Sequence, residues 1–327
     1  MNSFGTNYRL NIWGESHGDS VGITIDGCTP GIAIDEQDFQ NDINRRRSGS
    51  KGTTPRIEPD KPIILSGIYK GFTSGSPISI MIENTNIKSE DYSVPIFRPG
   101  HADFVADKKY NGFNDFRGGG HFSGRLTLCL VIAGVIAKKM LNGIKINAKI
   151  IEIGGSTDFE SIIKSTLENN DSVGGIVECT VSHLPVGIGE PFFNSVESLI
   201  SHAVFSIPAI KGIEFGSGFR AASMFGSSHN DSIIDEYGKT TTNNAAGING
   251  GITNGNEIVF RVAVKPTSSI GVSQDTYNMN EGKIKSLKIK GRHDACIALR
   301  VPVVLEAVTA IVLADLQKTH KVLFKKI

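Results

Sequence analysis

The sequence predicts an α+β fold in which two buried helices lie between antiparallel sheets, and three observations carry that prediction. Residues 126–137 are apolar on every face, interrupted only by Thr127 and Gly134. Residues 301–318 are apolar nearly all round. Helices of that kind must be covered on every side. Around them run segments that alternate apolar and polar residues, as strands with one buried face do. No linker composition, charge block or short-period repeat divides the chain, so residues 1–327 are expected to form one domain.

Taken in order, residues 21–27 alternate and end in a turn glycine, which predicts a strand. Asp35 can cap a short helix whose Phe39 and Ile43 fall four apart on one face. That helix ends in Arg45, Arg46 and Arg47, and a polar loop carrying Lys51 and Arg56 follows. Strands are expected at 61–68 and 77–83. Residues 84–116 show little periodicity and are too long for an idle connection, so they are expected to cover a site.

The stretch 114–139 organises the rest. Gly118, Gly119 and Gly120 let backbone approach a ligand, Ser123 offers a helix-capping hydroxyl, and Arg125 sits in the first turn. Free N–H groups, a helix dipole and a guanidinium together make an anion-binding mouth on a core helix. Strands are then expected at 148–155 and 174–187, with a surface helix near 158–167 between them. A helix is expected at 191–206, then a strand and turn through 207–219, an irregular stretch over 216–255 and a strand at 256–266. Pro302 suits the first turn of the second long helix.

Composition narrows the function. With 39% hydrophobic residues among 327 the chain can bury a substantial core, and 37 glycines imply many tight turns. A net charge of +1 and 7% aromatics argue against nucleic acid as a partner. Cys28, Cys129, Cys179 and Cys296 are widely spaced, without a zinc pattern, and read as reduced, packed thiols; no metal is expected. The N-terminal residues lack a signal-peptide layout and the longest apolar run falls short of the about 20 residues a bilayer requires. A soluble, cytoplasmic protein without a membrane partner is expected.

Histidines and cations carry the candidate chemistry. His17 lies between glycines in GESHG, where it is either a turn residue or a proton carrier facing a cavity. His101 follows Arg98 and Pro99 and precedes Asp103, which could orient its ring. His293 and Asp294 are adjacent and point apart, so they form no ready-made dyad. Arg45, Arg46 and Arg47 cannot all face one way on a helix and could simply form a solvated surface, but with Lys51, Arg56, Arg98, Arg125 and Arg292 several could converge on a substrate with more than one negative charge, since a guanidinium binds carboxylate or phosphate with two parallel hydrogen bonds. Lys265, Pro266, Thr267, Ser268 and Ser269 end a strand with a cation and three hydroxyls, suitable for phosphate or simply a turn. There is no Walker loop, and the glycines at 118–120 do not fit a dinucleotide fingerprint.

As a set, GESHG (14–18), NRRRSG (44–49), IENTN (82–86), RPGHAD (98–103), RGGGHFSGR (117–125), KGIEFGSGF (211–219), AAGINGGITNG (245–255), KPTSS (265–269) and GRHDACIALR (291–300) closely resemble the chorismate synthase family, in the family's order and over nearly the whole chain. The resemblance implies a β-α-β sandwich, a homotetramer, and loss of phosphate from 5-enolpyruvylshikimate 3-phosphate by 1,4-anti elimination. It also implies reduced FMN as cofactor, although the reaction has no net redox change, and raises NADPH as the source of flavin reduction.

Residue by residue, His17 matches the histidine thought to protonate reduced flavin, His101 the one thought to protonate departing phosphate, and Asp294 an aspartate that relays the substrate proton. Arg46, Arg47, Lys51, Arg56 and Arg125 match basic positions facing substrate or NADPH. His121, Phe122, Ser123, Ala209, Gly250, Lys265, Pro266, Thr267, Ser268, Ser269 and Arg292 match flavin-contacting positions. Many members carry arginine and serine where this chain has His121 and Phe122, and glutamate in place of Leu126. Two alternatives share parts of this pattern: another flavin-dependent lyase for a phosphorylated acid, and a non-catalytic anion-binding protein.

Overall fold

The computed structural model describes residues 2–54, 58–86, 96–289 and 293–324, with side chains through His320. Arg56 and Arg292, and residues 87–95 of the expected cover, lie outside the described residues.

The first sheet contains β1 (Ser3–Phe4), β2 (Arg9–Gly14), β3 (Ser20–Asp26), β4 (Ile63–Ser66) and β5 (Ile78–Glu83), ordered β1-β2-β3-β5-β4. Its pairings are all antiparallel. Val21, Ile23 and Ile25 on β3 stand opposite Ile82, Ile80 and Ile78 on β5, and all six side chains are fully buried. Period-2 alternation thus places one β-branched stripe on the core face, where such side chains pack well.

The second sheet contains β6 (Lys145–Ile153), β7 (Gly175–Ser182), β8 (Ile210–Phe215) and β9 (Ile258–Val264), ordered β8-β9-β7-β6 and again antiparallel. Ile258, Phe260 and Val262 on β9 face Val181, Cys179 and Val177 on β7. A separate ribbon pairs β10 (Gln274–Asn278) with β11 (Lys283–Leu287).

The helices longer than one turn are α1 (Gln40–Arg46), α2 (Asp103–Lys109), α3 (Thr127–Met140), α4 (Phe159–Glu168), α5 (Val196–Val204) and α6 (Val301–Phe324). α3 packs on β3 of the first sheet, α6 on β6 and β7 of the second, and the two helices pack along each other. The layers therefore run sheet, helix, helix, sheet. Gly134 permits the close helix approach: a Cβ there would lie 2.4 Å from the Cβ of Ala307.

Two carboxylates on α6 fasten this arrangement. Glu306, nearly fully buried, accepts from Arg45 Nη1 and Nη2 (2.7 and 2.6 Å), Lys138 Nζ (2.9 Å) and the Ala148 amide (3.0 Å), joining α1, α3 and β6. Asp315 accepts the amides of Thr6 (3.0 Å) and Tyr8 (2.7 Å) and anchors the N-terminal segment. Arg45 is thereby a structural residue, while its neighbour Arg46 turns the other way, toward the mouth of α3.

Several expectations shift. Asp35 caps a 3₁₀ turn, Glu36–Phe39, which leads into α1. Arg9–Gly14 forms a strand that its residues signal weakly, because only Leu10 along it is buried. The expected irregular stretch at 84–116 contains α2, and the β10–β11 ribbon was not anticipated. α5 is shorter than expected because Phe192 takes a positive φ (63°) and a 3₁₀ turn, Phe192–Asn194, precedes the helix.

The length argument against a membrane span also needs correction. Windows over Arg117–Met140 and Ile297–His320 are each long and apolar enough to cross a bilayer, but they are 72% and 78% buried within the protein. The sheets cover these helices, as all-round apolarity requires. All four cysteines are free and buried, and burial pushes the Cys129 thiol up to about 12.

Candidate active site

The glycine turn before α3 sets the geometry. Gly118, Gly119 and Gly120 all adopt positive φ (60°, 83° and 54°), which glycine tolerates at no steric cost. The turn lies against both histidines singled out in the sequence. A Cβ on Gly118 would lie 2.5 Å from His17 Nε2, and one on Gly119 would lie 3.3 Å from His101 Cε1. Two imidazoles distant in sequence thus meet the same three residues of backbone. His17 is only 4% exposed.

His101 belongs to a tight polar cluster. Its Nδ1 is 2.6 Å from Asp103 Oδ1 and 3.1 Å from Arg98 Nη2. Arg98 forks onto the same carboxylate through Nε and Nη2, each at 2.7 Å, and reaches Ser269 Oγ at 3.0 Å. Burial alone would raise the Asp103 carboxyl, but hydrogen bonds from Arg98 and His101 hold it well below the usual carboxylate range.

Asp294 accepts the Thr54 amide at 3.0 Å and has Arg300 Nη1 at 3.4 Å. Burial pulls His293 below its ordinary value; Asp294 opposes this and Arg98 adds to it.

The basic residues divide. Arg46 is 2% exposed and donates to Thr127 Oγ1 (3.0 Å), Gly124 O (2.8 Å) and Arg125 O (3.2 Å), holding the first turn at the mouth of α3. Arg125 donates to Asn84 Oδ1 (2.9 Å), Glu83 O (3.2 Å) and Asp60. Asp60 also faces Arg46 at 3.8 Å, so one buried carboxylate serves both guanidinium groups. Arg47 donates to Asn44 Oδ1 and Pro59 O, while its buried Nε has no partner among the described residues. Lys51 instead pairs with Glu160 on the surface, outside the residues lining the cleft.

The expected phosphate loop folds over the RPGH turn: Lys265 Nζ and Ser268 Oγ both donate to Gly100 O, at 2.7 and 2.8 Å. Thr267 Oγ1 is buried without a partner among the described residues. Ala209, at φ 75°, accepts the Lys265 amide at 2.9 Å. His121 Nδ1 lies 2.8 Å from Gly14 O and so carries the proton it donates there. Ser123 caps the turn through the Arg125 amide (3.3 Å), as the sequence suggests, and Phe122 lies against Tyr110. Gly250 sits in the short turn between Ile248–Asn249 and Ile252–Thr253 and does not line the cleft.

One cleft of about 1030 Å³ collects these groups: His17, His101 and Asp294, Arg46, Arg47, Arg98 and Arg125, residues 121–123 and 265–269, Pro208 and Ala209. Asp60 and Arg300 line it too, and sequence reasoning missed both. Asp60 is 65 residues from Arg125 in sequence and lies in no recognisable pattern, and Arg300 sits within an apolar run. The volume lies at the upper end for a small-molecule site and leaves room for two ligands side by side. The unpaired Thr267 hydroxyl and Arg47 Nε are polar groups a bound anion or flavin would satisfy, so these residues fit such a cofactor.

A cleft that brings histidines and a carboxylate beside a glycine turn, with guanidinium groups in its wall, suits an enzyme acting on a small anionic molecule. Comparison with known proteins narrows this class. The family profile described as chorismate synthase matches residues 8–317. A chorismate synthase of Chitinophaga pinensis is 60% identical over 318 residues, covering 96% of each chain. One of Dehalococcoides mccartyi is 45% identical, again with 96% coverage of both. A crystal structure of chorismate synthase superposes with a TM-score of 0.76 at 28% identity, covering 97% of this chain and 93% of the other. The chain belongs to the chorismate synthase family.

Proposed function

We propose that the cleft performs the family's reaction with His17, His101 and Asp294 as its proton carriers. The family's enzymes eliminate phosphate from 5-enolpyruvylshikimate 3-phosphate to give chorismate, and this chain is one of those lyases. The observation that carries the residue assignment is the convergence of these three side chains, from three distant motifs, on one cleft lined by arginines.

In the reaction the C–O bond to phosphate breaks, a proton leaves the carbon at the far end of the 1,4 system, and a second ring double bond forms. Reduced FMN, when bound, supplies transient electron density for a change that has no net redox character. Lys265, Pro266, Thr267, Ser268, Ser269, Ala209, His121, Phe122 and Ser123 would hold it.

His101 delivers a proton to the departing phosphate from Nε2, because its Nδ1 is engaged with Asp103. His17 holds a second proton toward the glycine turn, and Asp294 takes up the proton lost from substrate. Arg46, Arg47 and Arg125 provide positive potential for phosphate and carboxylates. Arg46 and Arg125 act from fixed positions, since both are already hydrogen-bonded to the protein. Gly250 and Lys51 have no place in the cleft of their own chain, so this reading leaves them out of its wall.

The reading includes one domain over residues 1–327, NADPH only as a reductant for flavin, a cytoplasmic location and a homotetramer. The adjacent Phe192 and Phe193 are 86% and 92% exposed, apolar surface that burial against another copy would cover. Sedimentation velocity at micromolar concentration should give four copies; a monomer would overturn the tetramer. An anaerobic assay of phosphate release with FMN and NADPH, compared with prereduced FMN, tests the reductant: equal rates support NADPH use, and activity only with prereduced FMN overturns it.

A further inference from the structure

We propose that Asp103 is a positioning residue for His101, setting its tautomer and holding Arg98 beside it, so that one carboxylate places both a proton donor and a cation. The inference rests on the reading of His101 as the proton donor and deepens it.

The contacts at Nδ1 decide the tautomer. Arg98 Nη2 is 3.1 Å from that nitrogen and Asp103 Oδ1 is 2.6 Å away. A guanidinium only donates and a carboxylate only accepts, so the two contacts demand opposite states of Nδ1. The shorter one is a charge-assisted hydrogen bond, and Arg98 Nη2 already has a better acceptor in the same Oδ1, at 2.7 Å. Nδ1 therefore carries a proton and donates to Asp103. The Arg98 approach to Nδ1 follows from both groups sharing one carboxylate.

The consequence is directional. With Nδ1–H committed, Nε2 is the only nitrogen left for chemistry, and the ring edge bearing it lies against Gly119, where an added Cβ would be 3.5 Å from Nε2. A proton given up from Nε2 leaves a neutral ring that still donates to Asp103, so the ring need not turn between steps. Arg98 adds a second tether, running from Asp103 to Ser269 Oγ on the 265–269 loop. The carboxylate thus spans the segment that carries the acid and the loop assigned to flavin. Neither Arg98 nor Asp103 is more than 14% exposed, so the cluster is shielded from bulk water.

The test compares Asp103→Asn, His101→Ala and the double variant, all as full-length protein with reduced FMN. Asparagine keeps the shape but removes the charge and cannot accept from both neighbours as before. We expect kcat to fall about 100-fold with little change in flavin affinity, and Asp103→Glu to recover part of it. The charged and titratable groups around the ring are Arg98 and Asp103 on its own turn, Lys265 bonded to the neighbouring Gly100 carbonyl, and His293 near Arg98.

If Asp103 acts through His101, the double variant is no slower than His101→Ala; fully additive losses would overturn the proposal. So would Asp103→Asn turnover within about twofold of wild type while His101→Ala is inactive. Wild-type turnover in His101→Ala would instead overturn the assignment of His101 itself. Should Asp103→Asn fail to fold, ¹⁵N NMR of histidine-labelled wild-type protein decides the matter: a protonated Nδ1 on His101 is expected, and a neutral ring protonated only at Nε2 refutes it.

Discussion

Replacing Gly118 with alanine tests the site at its tightest point. The new Cβ would lie 2.4 Å from His17 Cδ2 and 2.5 Å from Nε2, against ordinary contact near about 3.4 Å. The ring must therefore withdraw by about 1 Å. His17 is buried and cannot move outward freely. The backbone adds its own term, because φ is 60° and an L-residue in that region loses roughly 1–2 kcal/mol. We expect a loss of about 2–3 kcal/mol in stability, a few degrees in Tm, and about a 100-fold drop in kcat from misplacement of the imidazole.

A control separates these effects. Gly143 also has positive φ (86°), but a Cβ there meets nothing within 4 Å. Gly143→Ala should show only the backbone term, about 1 kcal/mol, with turnover unchanged. Calorimetry and anaerobic phosphate release read out both variants. Wild-type turnover in Gly118→Ala would refute the claim that the glycine turn holds His17 in its working position.

Other predictions follow from the core and the cleft. Glu306→Gln removes the charge shared by Arg45 and Lys138 and should destabilise the fold by about 3 kcal/mol, read by urea titration. Burial alone would raise the Glu306 carboxyl, but Arg45 and Lys138 hold it below its ordinary value, so its stabilisation is present above about pH 4.5 and is lost as acid titrates the folded form. The wild type should therefore lose stability between about pH 5 and 3 more steeply than Glu306→Gln; parallel curves would refute this. Gly134→Val drives a side chain into Ala307, and thermal melts should show a loss of at least about 2 kcal/mol. Asp294→Asn should lower kcat about 100-fold while circular dichroism stays unchanged, and wild-type turnover would remove Asp294 from the proton path.

Much of this architecture was legible because its signals are local. The two core helices announce themselves by apolarity on every face, and β3, β5 and β9 by β-branched or aromatic residues at every second position. Ser123 and Asp35 act as caps because capping chemistry needs only a hydroxyl or carboxylate at the right offset. The glycine turn was legible as a ligand-close loop, but its contacts with His17 and His101 were not, since they join segments about 100 residues and 18 residues apart.

The same limit hid the partners of the cations. Arg46 and Arg125 read as anion-seeking side chains, yet both face the protein's own Asp60, a residue of positive φ (47°) ahead of β4. Arg45 and Arg46 are adjacent and chemically alike; only the packing of α1 against α3 and α6 sends one to Glu306 and the other to Gly124. Lys51 joined the cluster by proximity in sequence and leaves it in space.

The most direct test of the account is an anaerobic assay of the purified full-length protein with 5-enolpyruvylshikimate 3-phosphate and prereduced FMN. Phosphate and chorismate should appear in equal amounts, with none formed when oxidised FMN is supplied without reductant. Phosphate release that persists without reduced flavin, or flavin binding with no turnover of this substrate, would contradict it.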